Sequence, residues 1–144
     1  MYLLDTNIIG QIRKIYHPTC PDTFRQWFKH VDLELCYLST MTIFEIEKGI
    51  LSKERTDPKQ GEILRIWFEQ QIKPEFHHRI LPINSEIALQ TAQLHVPNPA
   101  SLADSFIGTT VLQHNFTLIT RNEKDFQYFG IKIFNPFNFN ELRL

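Results

Sequence analysis

The sequence predicts a single α/β domain, built as a parallel five-stranded sheet flanked by helices on both faces. Two observations carry that prediction. Short apolar runs recur along the chain, and the stretches between most of them carry apolar residues at helical spacing. Strands that alternate with helices pair in parallel, because the helix supplies the crossover connection. A third observation sets the scale. With 144 residues, 42% of them hydrophobic and 22% charged, the chain suits one globular domain over residues 1–144.

The elements follow in order. Tyr2-Leu3-Leu4 is the first strand. A helical stretch starts at Asn7 and runs through Ile8, Ile12 and Ile15 until Pro18 and Pro21 break it. Asp22 or Thr23 caps the next helix, which carries Phe24, Trp27, Phe28 and Val31. Leu35-Cys36-Tyr37-Leu38 is the second strand, and Thr42 opens a helix through Ile43, Ile46 and Ile50. Pro58 precedes a helix bearing Ile63, Leu64, Trp67 and Phe68, expected to end near Pro74. The third strand is Arg79-Ile80-Leu81-Pro82-Ile83, and Pro82 points to a sheet edge. Residues 85–94 are helical, 95–100 form a loop with two prolines, and 101–114 are helical again. Residues 116–120 form the fourth strand, 122–129 one or two helical turns, and Ile131-Lys132-Ile133-Phe134 the fifth strand.

Composition excludes several classes. No basic segment leads into a long apolar run, and no run approaches the ~18 apolar residues of a membrane span. A cytoplasmic protein is expected, with Cys20 and Cys36 as reduced thiols, since they lack metal-ligand spacing. The net charge of -1 argues at first against a nucleic-acid surface.

Ligands of a parallel sheet bind outside the carboxyl ends of its strands. Asp5 directly follows the first strand, Glu45 lies in the first turn after the second, and Asp125 lies just past the fourth. Asp104 opens the helix leading into the fourth strand, and that helix runs opposite to the strands, so it meets the same edge. Each acid also has an ordinary reading. Thr42 and Glu45 fit a capping box, Ser101 and Asp104 a looser one, Asp5 can cap a helix, and Asp125 can be a solvated residue. Together, however, four carboxylates at one edge repel one another unless a cation is present. All-oxygen donors favour magnesium over zinc. The apolar stripe of the Thr42 helix contains Glu47 and leaves Glu45 on the other side, so periodicity alone does not choose between them.

These residues resemble the motifs of the PIN-domain family. Leu3-Leu4-Asp5-Thr6-Asn7 resembles the first motif, and Leu38-Ser39-Thr40-Met41-Thr42-Ile43-Phe44-Glu45-Ile46 the second, with Gly49 selecting Glu45 over Glu47. Ala103-Asp104-Ser105-Phe106-Ile107-Gly108-Thr109-Thr110 resembles the third, although Gly108-Thr109-Thr110 replaces a more alanine-rich run. Residues 118–126 resemble the fourth, and Asn135-Pro136-Phe137 the usual ending. The likeness is greatest to VapC and FitB toxins of type II toxin–antitoxin pairs.

The resemblance implies a magnesium-dependent endoribonuclease, with manganese a possible substitute. Asp5, Glu45, Asp104 and Asp125 would hold the metal, with Asn122 the other place for the fourth acid. Asn7 and Thr120 would orient the carboxylates, unless they are ordinary caps. Without the four acids the charge moves from -1 to +3, so Arg13, Lys14, Lys48, Lys53, Arg55 and Arg121 can line an RNA path. Tyr16 and Phe126 are candidates to stack on bases. The implied partners are an RNA substrate, a cognate antitoxin and a second copy of the chain, with operator DNA reached only through the antitoxin. Two rivals remain. A non-enzymatic α/β interaction module would use the acids only as caps. An Asp-centred phosphatase would want Asp-x-Asp where this chain has Asp5-Thr6-Asn7.

Overall fold

The computed structural model describes residues 1–97 and 100–139. Five parallel strands lie in the order β3-β2-β1-β4-β5: β1 Tyr2–Leu4, β2 Cys36–Ser39, β3 Ile80–Leu81, β4 Thr117–Ile119 and β5 Lys132–Phe134. β1 is central. Leu3 pairs with Tyr37 on one side and with Leu118 on the other. β3 is an edge strand, as Pro82 suggested, and is only two residues long.

Alternation along the strands divides the core. Leu4, Cys36, Leu38 and Ile119 face one cluster, with Ile8, Phe24, Trp27, Ile46 and Phe68. Leu3 and Leu118 face the other, with Ile107, Val111, Phe126 and Phe129. The first layer is supplied by α1 (Thr6–Arg13), α2 (Asp22–His30) and α3 (Thr40–Thr56), the second by α7 (Leu102–His114). α6 (Ser85–His95) packs on α7.

Several expected boundaries shift, each for a local reason. α1 begins at Thr6, because Asp5 is its cap and accepts from the Thr6 amide at 2.8 Å. α2 follows Pro21, and neither Asp22 nor Thr23 caps it; the Thr23 hydroxyl instead donates to the Phe137 carbonyl. Leu35 belongs to a 3-10 turn, which the Asp32 side chain caps. α3 starts two residues before Thr42, capped by Ser39, whose hydroxyl accepts from the Met41 amide at 3.0 Å. The chain does not stop being helical at Pro74. After α4 (Pro58–Trp67) the turn widens to a π-helix over Phe68–Ile72, and α5 (Lys73–Phe76) follows with proline in its first turn. Pro74 lacks a backbone donor, and it stands directly after the widened turn, where the helical ladder changes register. His95 belongs to α6, and residues 98 and 99 of the expected loop lie outside the described residues.

Both cysteines are buried and unpaired. Burial pushes the Cys36 thiol up to about 12, which makes it inert as a nucleophile. Among the described residues no helix is long and apolar enough to cross a membrane.

Candidate active site

Asp5 stands at the carboxyl end of the central strand. Its amide donates to the Ile119 carbonyl at 2.9 Å, which extends the β1–β4 ladder by one residue. The side chain is 5% exposed. Three neutral donors converge on it: the Thr6 amide on Oδ1 at 2.8 Å, the Thr120 hydroxyl on Oδ2 at 2.7 Å, and Asn7 Nδ2 on Oδ2 at 3.2 Å. A carboxylate has about four lone-pair sites, so room remains for one further electrophile. Burial is the main influence on its pKa. It outweighs the hydrogen bonds from Thr120 and Thr6, the charges of Asp104 and Glu45 add to it, and the carboxyl rises from 3.8 to about 6.

Thr120 and Asn7 thus both donate to the Asp5 carboxylate. Thr120 is fully buried; its hydroxyl donates to Asp5 and accepts from the Asn122 amide at 3.0 Å. Asn7 also accepts the Arg121 amide at 3.3 Å, which ties α1 to the loop after β4. Asn122 contributes through its backbone, and its side chain makes no cap bond.

Glu45 is not in a capping box. Thr42 lies inside α3, fully buried, and Glu45 Oε1 accepts instead from the Thr6 hydroxyl at 2.6 Å. Thr42 Oγ1 lies 3.2 Å from the same Thr6 oxygen. Thr6 has one hydroxyl proton, and the shorter, charged contact takes it. Sequence reasoning missed both threonines. The signal was present: Thr6 follows Asp5 directly, and Thr42 precedes Glu45 by three residues, hence on the same helix face. Glu47 turns to the far side and bonds Arg65 at 2.6 Å.

Asp104 lies in the first turn of α7, where the Ser101 hydroxyl caps its amide at 3.2 Å. Its own carboxyl is raised, first by burial, then by the charges of Asp125 and Glu45, against the opposing Ser101 hydrogen bond. Asp125 is exposed on the 3-10 segment Glu123–Phe129. The four acids therefore form one linked set. Glu45 and Asp104 raise Asp5, and Asp125 and Glu45 raise Asp104.

Of the cations expected to line a path, Lys14, Lys48, Lys53, Arg55 and Arg121 are exposed. Arg13 is half-buried, its guanidinium 6.0 Å from the Trp67 ring centre, while Arg121 lies 4.5 Å over Phe137. Tyr16 is 94% exposed. Phe126 cannot stack on a base, because it is buried in the core beside Phe129. The exposed aromatic of that turn is Tyr128.

The donor chemistry fits a hard divalent cation. All four side chains offer oxygen only, and among the described residues none of the four is ion-paired to lysine or arginine. By contrast, Glu47, Glu54 and Glu69 all meet Arg65. No three carboxylate, histidine or cysteine side chains among the described residues already converge on one ion position. An ion here would be met partly through water.

The comparisons with known proteins agree with this geometry. The toxin FitB of Neisseria gonorrhoeae is 31% identical over 143 residues, 96% of this chain and 99% of its own length. The VapC ribonuclease Y4jK of Sinorhizobium fredii is 28% identical over 142 residues, 94% of this chain and 97% of its own. The solved structure of FitAB bound to an IR36 DNA fragment superposes with a TM-score of 0.84 at 30% identity, over 98% of this chain and 99% of that one. The PIN domain family model matches residues 2–132, and with the sheet order and the acidic edge this places the chain in the PIN-domain family.

Proposed function

We propose that this protein is a divalent-metal-dependent endoribonuclease, the toxin of a toxin–antitoxin pair, working with magnesium or manganese. One observation supports the reading most. Asp5 is buried among neutral donors and lifted to about 6, with the charges of Asp104 and Glu45 adding to that rise and, among the described residues, no cationic side chain paired to it. Such a cluster is costly unless a cation completes it.

Asp5, Glu45, Asp104 and Asp125 would hold the ion. When bound, it polarises the phosphate and makes water acidic enough to lose a proton near neutral pH. The chain's residues set the geometry. Thr120 and Asn7 fix both the rotamer and the tilt of Asp5. Thr6 bridges Asp5 and Glu45, its amide to one and its hydroxyl to the other, so the two carboxylates keep a constant separation. Water adds to phosphorus, the bond to the 3′ oxygen breaks, and the ends are 5′-phosphate and 3′-hydroxyl. Exposed Lys48, Lys53 and Arg55 on α3, with Arg121, offer contacts to the RNA backbone.

Similarity to FitB and Y4jK supports both the toxin role and the ribonuclease activity. The DNA-bound FitAB structure supports an antitoxin partner through which operator DNA is reached, and a homodimer in a cytoplasmic setting completes the proposal. The test is cleavage of end-labelled RNA by the purified chain with magnesium. Discrete cuts that EDTA and Asp104→Asn both abolish are expected. A folded, antitoxin-free sample that cuts nothing with magnesium or manganese would overturn the proposal and favour an interaction module.

A further inference from the structure

Beside the carboxylates lies an open cavity of about 680 Å³ that shares Asp104 and Asp125 with the acidic edge. We propose that it seats one unpaired RNA base next to the scissile phosphate, with Tyr128 as the stacking surface and Lys124 as a contact to the neighbouring phosphate. This rests on the ribonuclease reading above.

Position is the first argument. Because Asp104 and Asp125 form part of the wall, an occupant lies within about one nucleotide of whatever the carboxylates act on. The character of the wall is the second. Leu94 and Phe129 give it an apolar side, and Tyr128 lines it while 81% exposed. The 3-10 turn explains this division: Phe126 and Phe129 point into the core, which leaves Tyr128 on the outside. An exposed ring on an apolar wall is the form of platform on which single-stranded bases stack.

Charge is the third argument. Lys124 is the cation of the wall, exposed and without an ion-pair partner among the described residues. Asp104 and Asp125 would be engaged with the ion, so the base is held by the ring of Tyr128 and the apolar wall rather than by the carboxylates. A base in a duplex presents no free face to a ring, so the substrate is single-stranded at this nucleotide.

The test uses the full chain and a fluorescein-labelled RNA oligonucleotide spanning a mapped cut. Binding is read by anisotropy in the Asp104→Asn background with magnesium, and cutting is read in the otherwise unaltered protein. Tyr128→Ala should weaken both by about tenfold, and Tyr128→Phe should leave them near the starting value. On RNA made abasic at the flanking nucleotide, the Tyr128→Ala loss should vanish. Lys124→Gln should lower the salt dependence of binding by about one counterion. Unchanged thermal unfolding of Tyr128→Ala controls for folding. Equal losses on intact and abasic RNA, or no loss at all, would overturn the proposal. So would a Tyr128→Ala variant that binds RNA normally but loses a protein partner, which would make the cavity a protein site. If the unaltered chain neither binds nor cuts RNA, the ribonuclease reading fails and takes this one with it.

Discussion

Asp5→Asn should remove a pH dependence of stability that the unaltered, metal-free protein shows. The Asp5 carboxyl sits at about 6 in the folded chain and at 3.8 in its ordinary state. The folded state therefore holds this proton more tightly than the unfolded state does. Protonation stabilises the fold, fully below 3.8, and that contribution is lost as pH rises through about 6. The gap corresponds to about 3 kcal/mol, at about 1.36 kcal/mol for each pKa unit. Asparagine carries no titratable charge but brings its own conflict. Its single amide oxygen can accept from both Thr120 and Asn7, but its NH2 group then faces the Thr6 amide, so one hydrogen bond is lost, at about 1 kcal/mol. That loss is the same at every pH, so the difference between the two proteins isolates the charge. Urea unfolding read by the fluorescence of Trp27 and Trp67, in EDTA from pH 3.5 to 7.5, measures it. The advantage of Asp5→Asn should grow by about 3 kcal/mol across that range. Magnesium at pH 7 should stabilise only the unaltered protein. Parallel stability curves for the two proteins would refute the argument that Asp5 is a costly buried charge.

Thr120→Val removes a buried, charge-assisted donor to Asp5 and should cost about 1.5–3 kcal/mol at pH 7. The cost should shrink at pH 3.5, where Asp5 is protonated, and the same urea series reports it. Gly108→Ala should destabilise by about 1–3 kcal/mol, because its new methyl would stand 2.6 Å from the Phe129 ring. Thermal unfolding measures this directly. Arg65→Met leaves Glu47, Glu54 and Glu69 without their shared partner and should lower the melting temperature. That deficit should narrow as salt rises, since the pairs are partly exposed.

The fold and the acidic edge were largely legible in the sequence, because both follow from periodicity and from where strands end. The rule that a parallel sheet binds at its carboxyl edge pointed to Asp5, Asp104 and Asp125, whereas Glu45 was preferred to Glu47 only through the motif that includes Gly49. The finer chemistry was not legible. Ser39, Thr40 and Thr42 are all plausible caps, and only packing reveals that Thr42 is buried beneath Thr6 rather than capping α3. Glu47 needed the position of Arg65, eighteen residues away, which no helical period supplies. Phe126 and Tyr128 could not be sorted because a short 3-10 turn lacks the repeat that marks an inner face. Gly108 is explained only by Phe129, since close approach of a ring leaves no trace in local pattern.

The central place of β1 has a consequence for how the molecule comes into being. Tyr2 leaves the ribosome well before Thr117, Leu118 and Ile119, yet its strand is complete only when they arrive to pair with it. Asp5 waits for Thr120, a partner 115 positions later. Closing so long a loop is slow and must precede any reward from the contacts it brings. The nascent chain therefore carries Asp5 unassembled until Thr120 has been made. A chain truncated before Thr117 would have no β4 and no Asp125, leaving Asp5 without its buried hydroxyl partner.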